Sequence, residues 1–278
     1  NVGINNIAIG DSALNVSSTG SSNIAIGPSA MLNSTSGSFN IAIGQQSLNT
    51  DTRALNNVTI GYQSAYVLTG SDNVAVGYQA AESFQGLNSL AMGYQAGNLL
   101  QSYQAVAIGY QASYTNQGSQ SVAIGSAAGA TNQGQQAVAI GGSAGNSGQG
   151  YYGVAIGLNA AYSNQSTNGI AIGNGAGQIS QGTQSVAIGF SAGQSNQSNY
   201  AISIGRNAGV TTQGLDAIAI GDTAGYTNQS QYSVALGYQA AQTNQNASAV
   251  AIGYTSGQSN QGLNSIAIGY AAGSSTQG

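Results

Sequence analysis

The sequence predicts an all-β protein, a parallel β-solenoid (β-roll-like) of about seventeen coils of 16 or 17 residues each. Three observations lead to this prediction. A tetrad of the form aliphatic–Ala–aliphatic–Gly recurs through the chain, its spacing is nearly constant, and the composition differs from that of a globular domain. Short repeats of strand-forming residues are typical of stacked coils, in which each coil contacts only its neighbours.

The glycine that closes each tetrad, here called the landmark glycine, defines the period. The first four are 17 residues apart, and every later one follows its predecessor by 16. They are Gly10, Gly27, Gly44, Gly61, Gly77, Gly93, Gly109, Gly125, Gly141, Gly157, Gly173, Gly189, Gly205, Gly221, Gly237, Gly253 and Gly269. Because the spacing has no break, we expect one continuous domain over residues 1–278, with 17-residue coils in 1–61 and 16-residue coils in 62–278.

Each tetrad is predicted to form a strand that ends at its glycine. Ala stands at the centre of fifteen tetrads, and Thr59 and Ser203 replace it in the others. Since side chains alternate between the two faces of a strand, the two aliphatic residues face one side and Ala the other. We expect the aliphatic pair to fill the interior of the coil. The Ala column, including Ala123, Ala155 and Ala187, would then lie outside and contact other copies of the chain.

The composition excludes several classes of function. Charged residues make up only 3% of the chain, and the net charge is −4. With two Arg and no Lys there is no basic patch, so we expect no nucleic-acid partner. The absence of His and Cys removes the parts of the usual catalytic triads and zinc sites, so we expect no enzyme, no metal and no cofactor. No apolar stretch approaches the roughly 18 residues of a membrane span, so we expect no membrane insertion in this segment.

A column of glutamines lies eight residues after the landmark glycine. It is present in every coil from Gly77 onward: Gln85, Gln101, Gln117, Gln133, Gln149, Gln165, Gln181, Gln197, Gln213, Gln229, Gln245, Gln261 and Gln277. Such a column is either a polar binding row or a ladder that passes amide hydrogen bonds from coil to coil. Gly or Ser usually follows, so we place the column at a turn and favour the structural ladder.

Tyrosines form two runs directly after the landmark glycine: Tyr62, Tyr78, Tyr94 and Tyr110, and later Tyr238, Tyr254 and Tyr270. Tyr side chains in register at strand spacing stack on one another, and packing is the favoured interpretation. They are also the candidate contacts to a sugar or another surface. Arg206 and Asp222 occupy the same position in adjacent coils, which predicts a surface ion pair of little energetic value.

The tetrads with their leading polar residue, such as Ser121-Val122-Ala123-Ile124-Gly125, resemble the head repeats of YadA-like trimeric autotransporter adhesins. The resemblance covers all the coils, although the coils of that family are shorter. The segment from Asn23 to Ser38 also resembles repeats of phage and giant-virus fibre proteins. Both resemblances imply a homotrimeric fibre on a cell or virion surface, outside the cell, that contacts host or matrix surfaces.

The resulting expectation is a structural, adhesive rod segment of an extracellular or virion surface fibre. Its partners would be copies of itself and a carbohydrate or a host or matrix surface. A self-assembling extracellular filament subunit is one alternative. An ice-binding or ice-nucleating solenoid is another, because segments such as Thr115-Asn116-Gln117 recur and could order water.

Overall fold

The computed structural model describes residues 3–16, 19–50, 53–67 and 70–277. The chain divides into two compact units, residues 1–137 and 138–278, each built from stacked parallel strands. The described residues contain strands and turns and no helix. The predicted all-β, parallel β-solenoid is therefore confirmed. One continuous domain over the whole chain stays a prediction.

Every strand is three residues long. The first unit contains β1 Ile7–Ile9, β2 Ile24–Ile26, β3 Ile41–Ile43, β4 Val58–Ile60, β5 Val74–Val76, β6 Ser83–Gln85, β7 Leu90–Met92, β8 Leu99–Gln101, β9 Val106–Ile108, β10 Thr115–Gln117, β11 Val122–Ile124 and β12 Thr131–Gln133. The second unit contains β13 Val138–Ile140, β14 Ser147–Gln149, β15 Val154–Ile156, β16 Ser163–Gln165, β17 Ile170–Ile172, β18 Ile179–Gln181, β19 Val186–Ile188, β20 Ser195–Gln197, β21 Ile202–Ile204, β22 Thr211–Gln213, β23 Ile218–Ile220, β24 Thr227–Gln229, β25 Val234–Leu236, β26 Thr243–Gln245, β27 Val250–Ile252, β28 Ser259–Gln261 and β29 Ile266–Ile268.

The first kind of strand is the predicted one, formed by the first three residues of the tetrad. These tetrad strands pair in parallel with the tetrad strand of the next coil, and equivalent residues are opposite each other. Val106 pairs with Val122 in the first unit, and Val154 pairs with Ile170 in the second. The constant spacing of the tetrads therefore sets the register directly.

The landmark glycine is required at the end of each tetrad strand for two reasons. Its φ lies between 122° and 139°, a conformation that L side chains rarely adopt. It also packs on the backbone of the next coil: a Cβ on Gly173 would lie 2.5 Å from the carbonyl oxygen of Gly189. The glycine predicted from the repeat is thus both a turn residue and a site of close contact between coils.

A second kind of strand ends on the glutamine column, and the sequence analysis missed it. These Gln strands, such as β10 and β12, also pair in parallel with one another, but only through their first and third residues. The middle residue has a positive φ, 54° at Asn116, which Asn adopts more readily than most residues. The column was expected at a turn; it ends a strand, and the turn begins after it.

The expectation about the two faces of the tetrad strand was wrong. Ala123, Ala155 and Ala187 are 0% exposed and face the interior, so they do not contact other copies. The larger side chains beside them face outward: Ile124, Ile156 and Ile188 are 36–37% exposed. The self-interface predicted for the Ala column is thereby excluded, because these methyl groups are covered by the coil's own atoms.

The narrowness of the interior explains this reversal. A Cβ placed on Gly129 would lie 2.9 Å from the side-chain amide of Gln133 and 3.3 Å from the Cβ of Ala123. Protein interiors are packed at crystal-like density, so a space filled by one methyl group and one amide has no room for Ile. The small residue three positions after the landmark glycine is buried for the same reason, as at Ala128 and Ser64.

Candidate functional surfaces

The glutamine column lies inside the coils and is no binding row. From Gln85 to Gln261 these side chains are at most 3% exposed. Gln181 Nε2 donates to the backbone carbonyl of Ile170 at 2.7 Å, across the interior of its own coil. Its Oε1 accepts a hydrogen bond of 2.9 Å from Nε2 of Gln165 in the preceding coil. The amide therefore ties the Gln strand to the tetrad strand and one coil to the next.

The connection between coils is not continuous along the column. Rung-to-rung bonds join Gln213 to Gln229 and Gln229 to Gln245, both at 3.1 Å. Among the described residues, Oε1 of Gln101 has no hydrogen-bond partner. The bond from Nε2 to a carbonyl across the coil is the more regular contact, since Gln101 makes it at 2.9 Å and Gln213 at 2.8 Å. The ladder was expected from the sequence, but this contact across the coil was not.

The coils before Gln85 use a column of asparagines that the sequence analysis did not single out. Asn23, Asn40 and Asn57 stand directly before the tetrad and are fully buried. Asn40 Nδ2 donates to the carbonyl of Ala54 at 2.8 Å and to Oδ1 of Asn23 at 3.1 Å. The last member is Asn73, after which Ser, Ala or Gly takes the position and Gln supplies the buried amide. The amide changes place close to where the period changes from 17 to 16.

The two departures from the Ala column are compensated by hydrogen bonds. Ser203 Oγ donates to Oε1 of Gln213 at 2.7 Å. Thr59 Oγ1 lies 2.8 Å from Ser47 Oγ and donates to the carbonyl of Ile41 at 3.2 Å. A buried hydroxyl with a partner costs little, so these residues fit an interior that is otherwise lined by methyl groups and amides.

The exposed side of the tetrad strands forms an apolar surface, which we call the aliphatic face. Its members in the second unit include Ile140, Ile156, Ile188, Ile204 and Leu236, each 36–41% exposed. Equivalent residues repeat in register from coil to coil within each unit. Contiguous exposed apolar residues of this kind are typical of an interaction surface.

Both tyrosine runs are stacked ladders on the surface, as the packing interpretation predicted. In the first unit the ring centroids of Tyr62, Tyr78, Tyr94 and Tyr110 are separated by 5.1–5.2 Å. In the second unit Tyr238, Tyr254 and Tyr270 are separated by 5.0–5.3 Å. Tyr78 and Tyr94 are each 44% exposed. Because both ring faces of an inner tyrosine contact neighbouring rings, their exposed parts are the ring edges and hydroxyl groups.

This geometry disfavours a sugar-binding role for the inner tyrosines. A sugar ring packs on the face of an aromatic side chain, and the faces of Tyr78 and Tyr94 are covered by adjacent rings with interplanar angles of 6–17°. Only the outer faces of the end members of a run, such as Tyr62 and Tyr110, lack a stacked tyrosine in this column. The ladder instead presents a row of ring edges.

The outer side of the Gln strands is polar, and two of its threonine hydroxyl groups bond to the backbone of the next coil. Thr227 Oγ1 donates to the carbonyl of Gln242, and Thr243 Oγ1 donates to that of Gln258, both at 3.4 Å. The exposed asparagines beside them hydrogen-bond to one another, as Asn228 does to Asn244 at 3.0 Å. Hydroxyl groups that bind backbone in this way are less available to order water, and the ice-binding alternative stays a prediction.

The remaining polar features of the described residues are an ion pair and a shallow groove. Arg206 Nη2 and Nε donate to Asp222 Oδ2 at 2.6 and 3.1 Å, the predicted surface ion pair. The hydrogen bond and charge of Asp222 raise the pKa of Arg206. A shallow groove of about 540 Å³ between Ser198 and Ala247 has no titratable side chain in its lining. Within the described ranges, no three His, Cys, Asp or Glu side chains are grouped to hold a metal ion.

No helix in the described part of the chain is long and apolar enough to span a membrane. No protein-family model matches the chain, and no curated protein sequence matches it significantly.

Proposed function

We propose that this chain is a rod segment of an extracellular or virion surface fibre, with a structural and adhesive role, and that it acts as an assembly of identical copies. The observation that carries the proposal is the aliphatic face. Its aliphatic side chains are exposed in register along each unit, while the amide groups of the buried glutamines donate within and between coils. A second copy with the same spacing would cover this face.

The composition supports association between copies. With 3% charged residues and two Arg, the surface has little charge to repel an identical chain. The resemblance to trimeric adhesin heads points to three copies around the aliphatic face. The physical argument by itself requires more than one copy, and a surface fibre of this kind would meet host or matrix surfaces with its other sides.

The test is the mass of the assembly in solution, measured by analytical ultracentrifugation. We expect the wild type to be oligomeric and Ile156→Glu/Ile188→Glu to be monomeric, because each chain would bury two additional charges at the interface. The matched control is Asn164→Asp/Asn196→Asp, which adds the same charge to the same two coils on exposed residues of the Gln strands.

An assembled Ile156→Glu/Ile188→Glu variant would show that the aliphatic face is not the interface. A monomeric wild type at all concentrations would contradict self-association altogether. Electron microscopy of the same samples separates discrete oligomers from the alternative of long end-to-end filaments.

A further inference from the structure

The tyrosine ladder of the first unit lies beside a second ladder that the proposed function does not use. The residue after each tyrosine is a glutamine, and Gln63, Gln79, Gln95 and Gln111 are linked from Nε2 to Oε1 at 2.9–3.0 Å. These glutamines thus run parallel to the stacked tyrosine rings. Together they form a strip in which a row of ring edges is bordered by a row of amides.

A carboxylate lies next to this strip. Glu82, which is half-buried, accepts hydrogen bonds from Gln79 Nε2 at 3.2 Å and from Asn98 Nδ2 at 3.0 Å. The first unit carries four acidic residues against one Arg in its sequence, a formal charge of −3. The strip therefore combines an exposed aromatic row with negative charge and no nearby Lys.

We propose that the four-rung tyrosine ladder, with the glutamine ladder and Glu82, binds a flat, elongated, cationic aromatic molecule that lies parallel to the stacking direction. The length of the row suits an extended molecule, because three successive gaps of 5.1–5.2 Å separate Tyr62 from Tyr110. The exposed ring edges offer a flat ligand a continuous surface for van der Waals contact along its length. The Glu82 carboxylate and the acidic unit attract its cationic group.

The site is testable on the full chain with thioflavin T, a flat cationic dye whose fluorescence rises when it is held rigid. Tyr78→Ser/Tyr94→Ser removes the two inner rungs, and Ser126 already occupies the equivalent position in a later coil. We expect the Kd for the dye to rise about tenfold, as the loss of two aromatic contacts implies. Tyr103→Ser is the matched control, because Tyr103 is 48% exposed and has no stacked ring among the described residues.

Two further variants separate the contributions. Glu82→Gln is expected to weaken binding about twofold to fivefold and to reduce its dependence on salt. Tyr254→Ser interrupts the shorter ladder of the second unit and is expected to leave the dye affinity unchanged. The monomeric Ile156→Glu/Ile188→Glu variant should bind as the wild type does, because the site belongs to one chain and does not depend on the proposed assembly.

The outcomes that would overturn the inference are specific. Wild-type affinity in a folded Tyr78→Ser/Tyr94→Ser variant, judged by far-UV circular dichroism, would exclude the ladder. If that variant does not fold, the single Tyr94→Ser substitution gives the same decision. An equal loss in Tyr103→Ser would show general binding to tyrosine, and displacement of the dye by soluble cellulose fragments would show a sugar-binding face instead.

Discussion

At the scale of single residues, stability depends on buried amides in an interior lined mainly by methyl groups. Buried amides that lack partners are costly, whereas amides with partners hold a polar interior in one arrangement. Asn supplies this group in the coils with the longer period, and Gln supplies it after Asn73. The buried hydroxyl group of Ser203 also has a partner, since it donates to the amide oxygen of Gln213.

Removing one amide from the middle of the column should destabilise the protein measurably. Gln181→Ala deletes a donor to Ile170 and an acceptor for Gln165, so we expect the free energy of unfolding to fall by about 1–3 kcal/mol. Urea unfolding followed by circular dichroism measures the change. Gln231→Ala, at an exposed glutamine, is the control and should change little. Equal midpoints for wild type and Gln181→Ala would mean that the column contributes no net stability.

At the scale of the structural element, the tetrad strand depends on the landmark glycine at its end. The landmark glycine turns the chain with a positive φ and allows the next coil to approach its backbone. Three-residue strands have little stability of their own, so their order depends on stacking against equivalent strands. A defect at this glycine therefore affects the contact between two coils and not a local turn alone.

Substituting two glycines of the same coil, one at the landmark position and one two residues later, tests this role. Gly173→Ala forces L geometry at a φ of 130° and places a Cβ 2.5 Å from the Gly189 carbonyl oxygen, so we expect a loss of at least about 2 kcal/mol. At Gly175 a Cβ would lie 3.5 Å from Ser191 Oγ, and Asn159 and Ser191 hold the equivalent position in other coils. Gly175→Ala, at a φ of 66° where Ala127 has 53° at the equivalent position of another coil, should therefore cost about 1 kcal/mol. Thermal unfolding of both variants decides, and similar losses would refute the special role of the landmark glycine.

At the scale of the whole molecule, the stabilising interactions are almost entirely uncharged. The chain has no His, no Cys and only eight charged side chains, of which Arg206 and Asp222 form an exposed pair. Packing of small residues and amide hydrogen bonds carries the fold in each unit. Such a protein depends little on ionisation for its stability and has little charge to keep copies apart.

This composition predicts a stability that is nearly independent of pH between about pH 5 and about pH 9, since no side chain with an ordinary pKa in that range is present. The raised pKa of Arg206 does not change this expectation. The ion pair's contribution to the free energy of unfolding is fully present below the pKa of Arg206 in the unfolded state, and it is lost only as the pH rises through the pKa in the folded state. Urea midpoints across this range measure the effect. A pronounced maximum within it would indicate a titrating group whose charge matters for folding.

Five features could be predicted from the sequence alone: the period, the tetrad strand, the turn at the landmark glycine, the in-register stacking of Tyr62 to Tyr110 and the structural role of the glutamine column. These features follow from local geometry and from repetition, because equivalent residues in stacked coils must lie opposite one another. The side of the tetrad strand that faces inward could not be predicted in this way. Both sides are apolar, so alternation is satisfied either way. The choice depends on the interior volume, which admits Ala123 beside the amide of Gln133 and leaves Ile124 exposed.

The Gln strand could not be predicted from the sequence either, because a positive φ at Asn116 and the absence of large apolar residues remove the usual signals of a strand.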